Sequence, residues 1–329
     1  MTKNLYSNIA VAPEGVQQIG LVGTGLIGSG WAAHFLSRGL DVIAYDPNPL
    51  AEKTLRAHID TAWPALEQLG LAAKACRDRL RFTTSIDTAL GDADFIQEST
   101  PEDTAIKDKV MAAISQAAHP DVVIASSTSG IVPTRLQAQC KHPERMVVGH
   151  PFNPVYLIPL VEVVGGQQTA DQTIDWAMRF YRHWGKTPLH CRTEINGHFA
   201  NRLQEALANE AWQMVVDGVA CTSDMDLALS AGPGLRWALM GTFMSGHLAA
   251  GKGGLRDTLA GKFDANVSTT DDTGLDEVVV NRILQENQRQ IAGRSHQDIQ
   301  QMRDEFLVGV LKLRADIEAK YGFNGSGFL

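Results

Sequence analysis

A doubly wound α/β sheet followed by an all-α second domain is the fold class this chain predicts, on three observations. Short apolar runs alternate with helical apolar spacing from Gln18 to about Cys191. A glycine-rich turn joins the first run to the first helix, as in a βαβ unit. From Gly197 onward the patterning is mainly helical.

The elements follow in chain order. Gln18 to Val22 is an apolar run entering glycines and reads as a buried strand. Trp31 to Arg38 has helical spacing and stops at Gly39, and Leu40 to Tyr45 is a second strand ending at Asp46-Pro47. Residues from about 50 to 78 read as one helix or a helical pair. Phe82 to Thr84, Ala93 to Glu98, Val122 to Ser126 and Met146 to Val148 read as strands, with Asp108 to Ala117 helical between them. Thr173 to Trp184 is helical and Thr187 to Cys191 is a short strand. The later helices are expected over Phe199 to Val216, Ser223 to Ser230, Asp276 to Ala292 and His296 to Tyr321. Ala249 to Gly254 and Asn266 to Gly274 read as loops.

Bulk properties bound the rest. At 329 residues, 44% hydrophobic and 20% charged, the chain has material for about two domains with real cores. The boundary is expected at Asn196-Gly197, giving a leader over 1–17, a nucleotide-binding domain over 18–196 and a helical substrate and dimerisation domain over 197–329. A net charge of −8 argues against a nucleic-acid partner, which selects a basic face. No apolar run reaches the ~18–20 residues of a membrane span. Met1 to Gly15 lacks the basic start and apolar core of a secretory signal, so a flexible leader on a cytoplasmic chain is expected. Cys76, Cys140, Cys191 and Cys221 are scattered, without a C-x-x-C pair, which suits reduced thiols.

Gly23-Thr24-Gly25-Leu26-Ile27-Gly28 fits G-x-G-x-x-G, the fingerprint of the Rossmann fold. The first glycine permits the tight turn, the second lets backbone approach a pyrophosphate, and the third lets helix and strand pack closely. The helix that follows aims its first N–H groups at the phosphates. Asp46 ends the next strand, 21 residues past Gly25, where a carboxylate binds a ribose 2′-hydroxyl. A carboxylate there repels a 2′-phosphate, so NAD is expected over NADP. The other reading of Asp46 is a helix N-cap ahead of Pro47.

Proton chemistry centres on Gly149-His150-Pro151-Phe152-Asn153-Pro154, with Glu162 twelve residues past the histidine. His150 follows a strand, at the sheet end where ligands bind in α/β folds. An imidazole oriented by a carboxylate can take a proton from a hydroxyl near neutral pH. Glu162 lies in Leu160-Val161-Glu162-Val163-Val164, where a carboxylate is costly unless paired, and His150 is the natural partner. The other readings are a structural histidine and a strand glutamate facing solvent. No cluster has metal-ligand spacing, and no metal is expected.

From about Gln18 to Tyr321 the chain resembles the 3-hydroxyacyl-CoA dehydrogenase superfamily. His150 before Phe-Asn-Pro, with Glu162 twelve on, matches its histidine–glutamate motif. Its catalytic serine falls on Ser129 within Ser126-Ser127-Thr128-Ser129-Gly130, 21 residues before His150. Its asparagine falls on Asn201 in Asn196-Gly197-His198-Phe199-Ala200-Asn201-Arg202, where Asn196 replaces the usual proline. Its cofactor-side glutamate and lysine match Glu102 and Lys107. The resemblance implies an NAD-dependent oxidoreductase in which His150 is the base, Glu162 orients it, and Ser129 and Asn201 hold the substrate oxygen. The cofactor contacts it implies are Gly23, Gly25, Leu26, Ile27, Gly28, Asp46, Glu102 and Lys107.

The substrate side points to one branch. Fatty acyl-CoA members carry a lysine-rich helical hairpin, whereas Ala51 to Arg81 is short and holds only Lys53 and Lys74. Gly232-Pro233-Gly234-Leu235-Arg236-Trp237, running on to Phe243, is similar to the branch that oxidises L-carnitine. It is less similar to the λ-crystallin and L-gulonate 3-dehydrogenase branch. The expected substrate is therefore a small molecule, L-carnitine. Arg236 would pair with its carboxylate, and Tyr156, Trp237 and Phe243 would offer aromatic faces to a quaternary ammonium. A short 3-hydroxyacyl-CoA, L-gulonate and a non-catalytic crystallin-like role are the alternatives. A homodimer without membrane or nucleic-acid partners is implied.

Overall fold

The computed structural model describes residues 9–262 and 276–322. The chain divides into two compact units, Met1–Ala206 and Leu207–Leu329. In the first, β1 (Gln18–Val22), α1 (Leu26–Ser37), β2 (Asp41–Tyr45), α2 (Ala51–Leu69), β3 (Leu80–Thr83), α3 (Ile86–Leu90) and β4 (Phe95–Glu98) follow in order. They lead into α4 (Thr104–Ala117), β5 (Val123–Ser126), α5 (Pro133–Gln137), β6 (Met146–Pro151), β7 (Leu160–Gly165), α6 (Asp171–His183) and β8 (Thr187–Cys191). The helix expected over about 50–78 ends at Leu69, where Gly70 takes a positive φ of 92°.

The eight strands form one sheet in the order β3-β2-β1-β4-β5-β6-β7-β8. Every neighbouring pair is parallel except β6 and β7, which form an antiparallel pair. β4, β5 and β6 are buried along their whole length, as strands covered by helices on both faces are. One core holds Trp31 and Phe35 of α1, Phe95 of β4, and Trp176, Phe180 and Tyr181 of α6, all fully buried. Trp176 stacks on Phe180 at 5.2 Å and on Phe95 at 5.7 Å. The opposite face packs Met111 and Ile114 of α4 with Leu90, Leu136 and Met146.

The described part of the expected leader, residues 9–17, is packed rather than loose. Ile9 and Val16 belong to the core, and Trp176 and Trp184 donate indole N–H bonds to the carbonyls of Val11 (2.8 Å) and Pro13 (3.2 Å). Buried indoles need acceptors, and this segment supplies them.

α7 (Ala200–Val216) begins in the first unit and ends in the second. Glu162 accepts hydrogen bonds from the amides of Phe199 and of Ala200, the first residue of α7, which ties the start of that helix to the sheet. The second unit holds α8 (Thr222–Ser230), α9 (Pro233–Trp237), α10 (Thr242–Ala249), α11 (Gly254–Lys262), α12 (Glu277–Ile291) and α13 (His296–Tyr321). Its small core is Met240, Leu248, Ile291 and Ile299. The glycine-rich stretch expected as a loop is a single 3-10 turn, Gly251–Gly253, between α10 and α11. The loop expected over Asn266 to Gly274 lies outside the described residues.

Candidate active site

β1 lies between β2 and β4, so successive strands add to opposite sides of it, and the loops after β1 and β4 diverge. That is where open α/β sheets bind ligands. A cleft of about 740 Å³ opens here, lined by Gly23, Thr24, Gly25, Leu26, Ile27, Asp46, Glu102, Ser129 and His150. The glycine loop, the acidic residue after β2, and two of the four residues expected to be catalytic therefore share one cavity.

The loop geometry follows from the glycines. Gly23 has φ +89°, and a Cβ on Gly28 would stand 2.0 Å from the Gly23 carbonyl oxygen. A Cβ on Gly25 would meet no protein atom within 4 Å, so what its absence clears is room for a ligand. Gly25 caps α1 without a side-chain bond, leaving the first amides of that helix free for an anion. These features fit a dinucleotide phosphate. Asp46 does not cap a helix: α2 starts at Ala51, after Leu50. Its Oδ2 accepts from the Thr24 hydroxyl (2.9 Å) and amide (3.3 Å), and Oδ1 accepts from the Asn48 amide (3.0 Å). The carboxylate is thus held at the cleft wall.

Glu102 also lines the cleft, and its Oε1 accepts from the Thr128 hydroxyl (2.5 Å) and the amides of Ser129 (3.1 Å) and Gly130 (2.9 Å). Burial alone would raise this carboxyl, but those bonds and the Lys107 charge hold it below its ordinary value. Glu102 therefore positions the Ser129 loop. Lys107 belongs to the same cluster of charges. It is buried on α4, donating to both oxygens of Glu98 (2.8 and 3.0 Å), 3.7 Å from Glu102, and is absent from the cleft wall. The apolar strand setting of Glu98 demanded a charged partner, and that was the available signal.

His150 and Glu162 are direct cross-strand neighbours in the β6–β7 pair. The twelve-residue spacing is the hairpin register, and it sets Glu162 Oε2 2.9 Å from His150 Nδ1. Glu162 is fully buried, which excludes the solvent-facing reading. Its other oxygen accepts from the amides of Phe199 (2.8 Å) and Ala200 (2.9 Å). Burial pushes this carboxyl up, and the bonds from His150, Ala200 and Phe199 overcome that and lower it. With Nδ1 donating to a carboxylate, Nε2 is the nitrogen free to accept a proton. His198, from the asparagine-bearing segment, packs its ring 5.3 Å from that of His150 and bonds the Thr128 carbonyl at 3.3 Å. Burial, then the His150 charge, lowers its pKa.

Asn201 sits half-buried on the first turn of α7, next to the amides that Glu162 holds, and is not on the cleft wall. Tyr156, half-buried, packs against the core of the first unit. Arg236, Trp237 and Phe243 lie in the second unit, all exposed.

Comparison with known proteins agrees with this geometry. Residues 18–195 match the family model for the 3-hydroxyacyl-CoA dehydrogenase NAD-binding domain, and 197–291 match the C-terminal domain of the same family. The chain belongs to the 3-hydroxyacyl-CoA dehydrogenase family. It is 47% identical to an L-carnitine dehydrogenase of Pseudomonas aeruginosa over 94% of this chain and 97% of the relative. It is 46% identical to an L-carnitine dehydrogenase of Bacillus cereus over 91% and 92%. A solved structure of an NAD+-dependent 5-formyl-3-hydroxy-2-methylpyridine 4-carboxylic acid 5-dehydrogenase superposes with a TM-score of 0.72 at 29% identity, covering 91% of this chain and 98% of that one. Family membership makes the chain an NAD-dependent oxidoreductase, and the Rossmann-type sheet with a helical C-terminal domain is its fold. Among the described residues no helix is long and apolar enough to cross a membrane.

Proposed function

We propose that this chain oxidises the 3-hydroxyl of L-carnitine to the ketone of 3-dehydrocarnitine, with NAD as acceptor. The observation that carries the chemistry is the His150–Glu162 pair on the cleft that also holds the glycine loop. The similarity to L-carnitine dehydrogenases over nearly the whole chain supports the substrate. When bound, NAD supplies the hydride acceptor. His150 Nε2 takes the hydroxyl proton as the substrate carbon gives up its hydride. Glu162 fixes the ring and stabilises the imidazolium that results. Ser129 and Asn201 donate hydrogen bonds to the substrate oxygen as it becomes a carbonyl. Arg236 pairs with the carboxylate, and Trp237 and Phe243 offer faces to the trimethylammonium group, which lacks an N–H donor.

The test is NADH formation with L-carnitine, L-gulonate and 3-hydroxybutyryl-CoA in parallel. Turnover of L-carnitine is expected; turnover of the thioester or the sugar acid alone would overturn the substrate. No NADH with any of the three would favour a non-catalytic role. Arg236→Met should raise the carnitine KM about tenfold or more, the scale of a lost bidentate ion pair.

A cytoplasmic homodimer working in carnitine metabolism completes the reading. α7 has no buried residue, and Leu203, Trp212 and Val216 are 71%, 66% and 77% exposed. α13, 26 residues long, buries only Ile299. Apolar faces of this extent suit a second copy. Sedimentation at micromolar concentration should give a dimer mass; a monomer would refute this part.

A further inference from the structure

A hydrogen-bond chain runs from Tyr181 to the cleft, and its direction is fixed at every link. The Tyr181 hydroxyl donates to Gln97 Oε1 at 2.7 Å, with burial raising the phenol pKa so that it keeps its proton. The Gln97 amide nitrogen faces the Gly149 carbonyl at 3.4 Å and Ser127 Oγ at 2.9 Å. A flipped amide would set two carbonyl oxygens against each other, so the nitrogen is the group that points to Ser127. Ser127 Oγ also accepts from Trp31 Nε1 at 3.2 Å, and indole N–H is donor only. Both lone pairs of Ser127 are then used, and its proton must go to its remaining partner, Ser99 Oγ, at 2.8 Å. Gly149 has room for this arrangement because it lacks a side chain: a Cβ there would stand 2.0 Å from the Tyr181 hydroxyl.

Ser99 is where the chain ends. It lines the cleft, its hydroxyl accepts from Ser127, and among the described residues that hydroxyl forms no other hydrogen bond. Its own proton is left to point into the cavity. Ser99 also lies against the phosphate-cradling loop. A Cβ on Gly28 would be 3.6 Å from its Cβ, and one on Gly23 would be 2.7 Å from its carbonyl oxygen.

We infer that Ser99 is a cofactor-positioning residue: its hydroxyl, oriented as a donor by Tyr181, Gln97, Trp31 and Ser127, binds an acceptor oxygen on the ribose–phosphate backbone of NAD. The inference rests on NAD binding and is independent of the substrate.

NADH fluorescence titration of the full chain tests it without substrate. Ser99→Ala should weaken NADH binding about five- to tenfold, the scale of one hydrogen bond, with thermal unfolding unchanged. Tyr181→Phe releases the amide at the far end. It should weaken NADH about two- to fivefold where Ser99 is present and add nothing in the Ser99→Ala background. Ser127→Ala, a smaller change in the middle of the chain, is the same test if Tyr181→Phe does not fold. NADH binding within twofold of the parent for Ser99→Ala would overturn the assignment. So would a Tyr181→Phe or Ser127→Ala effect of equal size in both backgrounds.

Discussion

Glu162→Gln isolates the orienting carboxylate. Glu162 is fully buried and serves two masters: Oε2 takes the His150 Nδ1 bond at 2.9 Å, and Oε1 takes the amides of Phe199 and Ala200. Glutamine keeps the shape but has one acceptor oxygen, so its NH₂ group faces either the Phe199 and Ala200 amides or His150 Nδ1, which then becomes the acceptor and leaves the ring proton on Nε2, where the base is needed. The charge-assisted bond to the imidazolium, worth about 1.5–3 kcal/mol, is lost when His150 holds the substrate proton. That lowers kcat by about 10- to 150-fold. NADH affinity should be unchanged, because Glu162 does not line the cleft. The assay is steady-state NADH formation beside fluorescence titration of NADH. A kcat within threefold of the parent would refute the role, and so would a loss explained wholly by weaker cofactor binding. Stability gives an independent reading. The Glu162 carboxyl is held below its ordinary value, so its contribution is fully present above the unfolded carboxylate range and is lost as pH falls through the folded value. The glutamine variant should start less stable at neutral pH and lose less on acidification.

Other outcomes follow from single contacts. Asp46→Ser removes the carboxylate at the cleft wall and should weaken NADH about tenfold while raising the NADPH-to-NADH affinity ratio; an unchanged ratio would remove Asp46 from cofactor selection. Lys107→Met leaves the Glu98 carboxylate buried and unpaired, at a cost of about 3–5 kcal/mol in urea unfolding, and Glu98→Gln in the same chain should restore part of it. Burial, with the Arg38 charge, pushes the Lys186 ammonium down to about 7 from 10.5. The unfolded chain therefore binds more protons between those values, and stability should rise with pH across that window by of order 1 kcal/mol per unit. Denaturation at pH 7 and pH 9 checks this, and Lys186→Met should flatten the difference.

The strands and the glycine loop were legible because their causes are local. A parallel strand covered on both faces is mostly apolar, and a loop that turns closely onto a phosphate needs glycine at its tight positions. The histidine–glutamate spacing was legible for a less obvious reason, since it encodes the register of one antiparallel pair. Sequence offered the Lys107 charge but not its partner, which is Glu98, nine residues earlier. Gln97 and Ser127 went unnoticed because polar residues near strand ends are common, and only their convergence with Trp31 and Tyr181 makes them a network. Tyr156 packs on the core, a setting its aromatic ring did not announce by itself.

By itself the sequence determined the α/β order, the dinucleotide loop, the acidic residue beyond it and the proton-handling pair. All of these rest on short-range backbone geometry or on fixed strand register. Tertiary structure alone decided which buried charges pair, which amides Glu162 holds, and which way the Ser127 and Ser99 hydroxyls point. Those outcomes depend on groups far apart in the chain meeting in buried or half-buried positions. There each donor must find an acceptor, and the count of lone pairs leaves one arrangement.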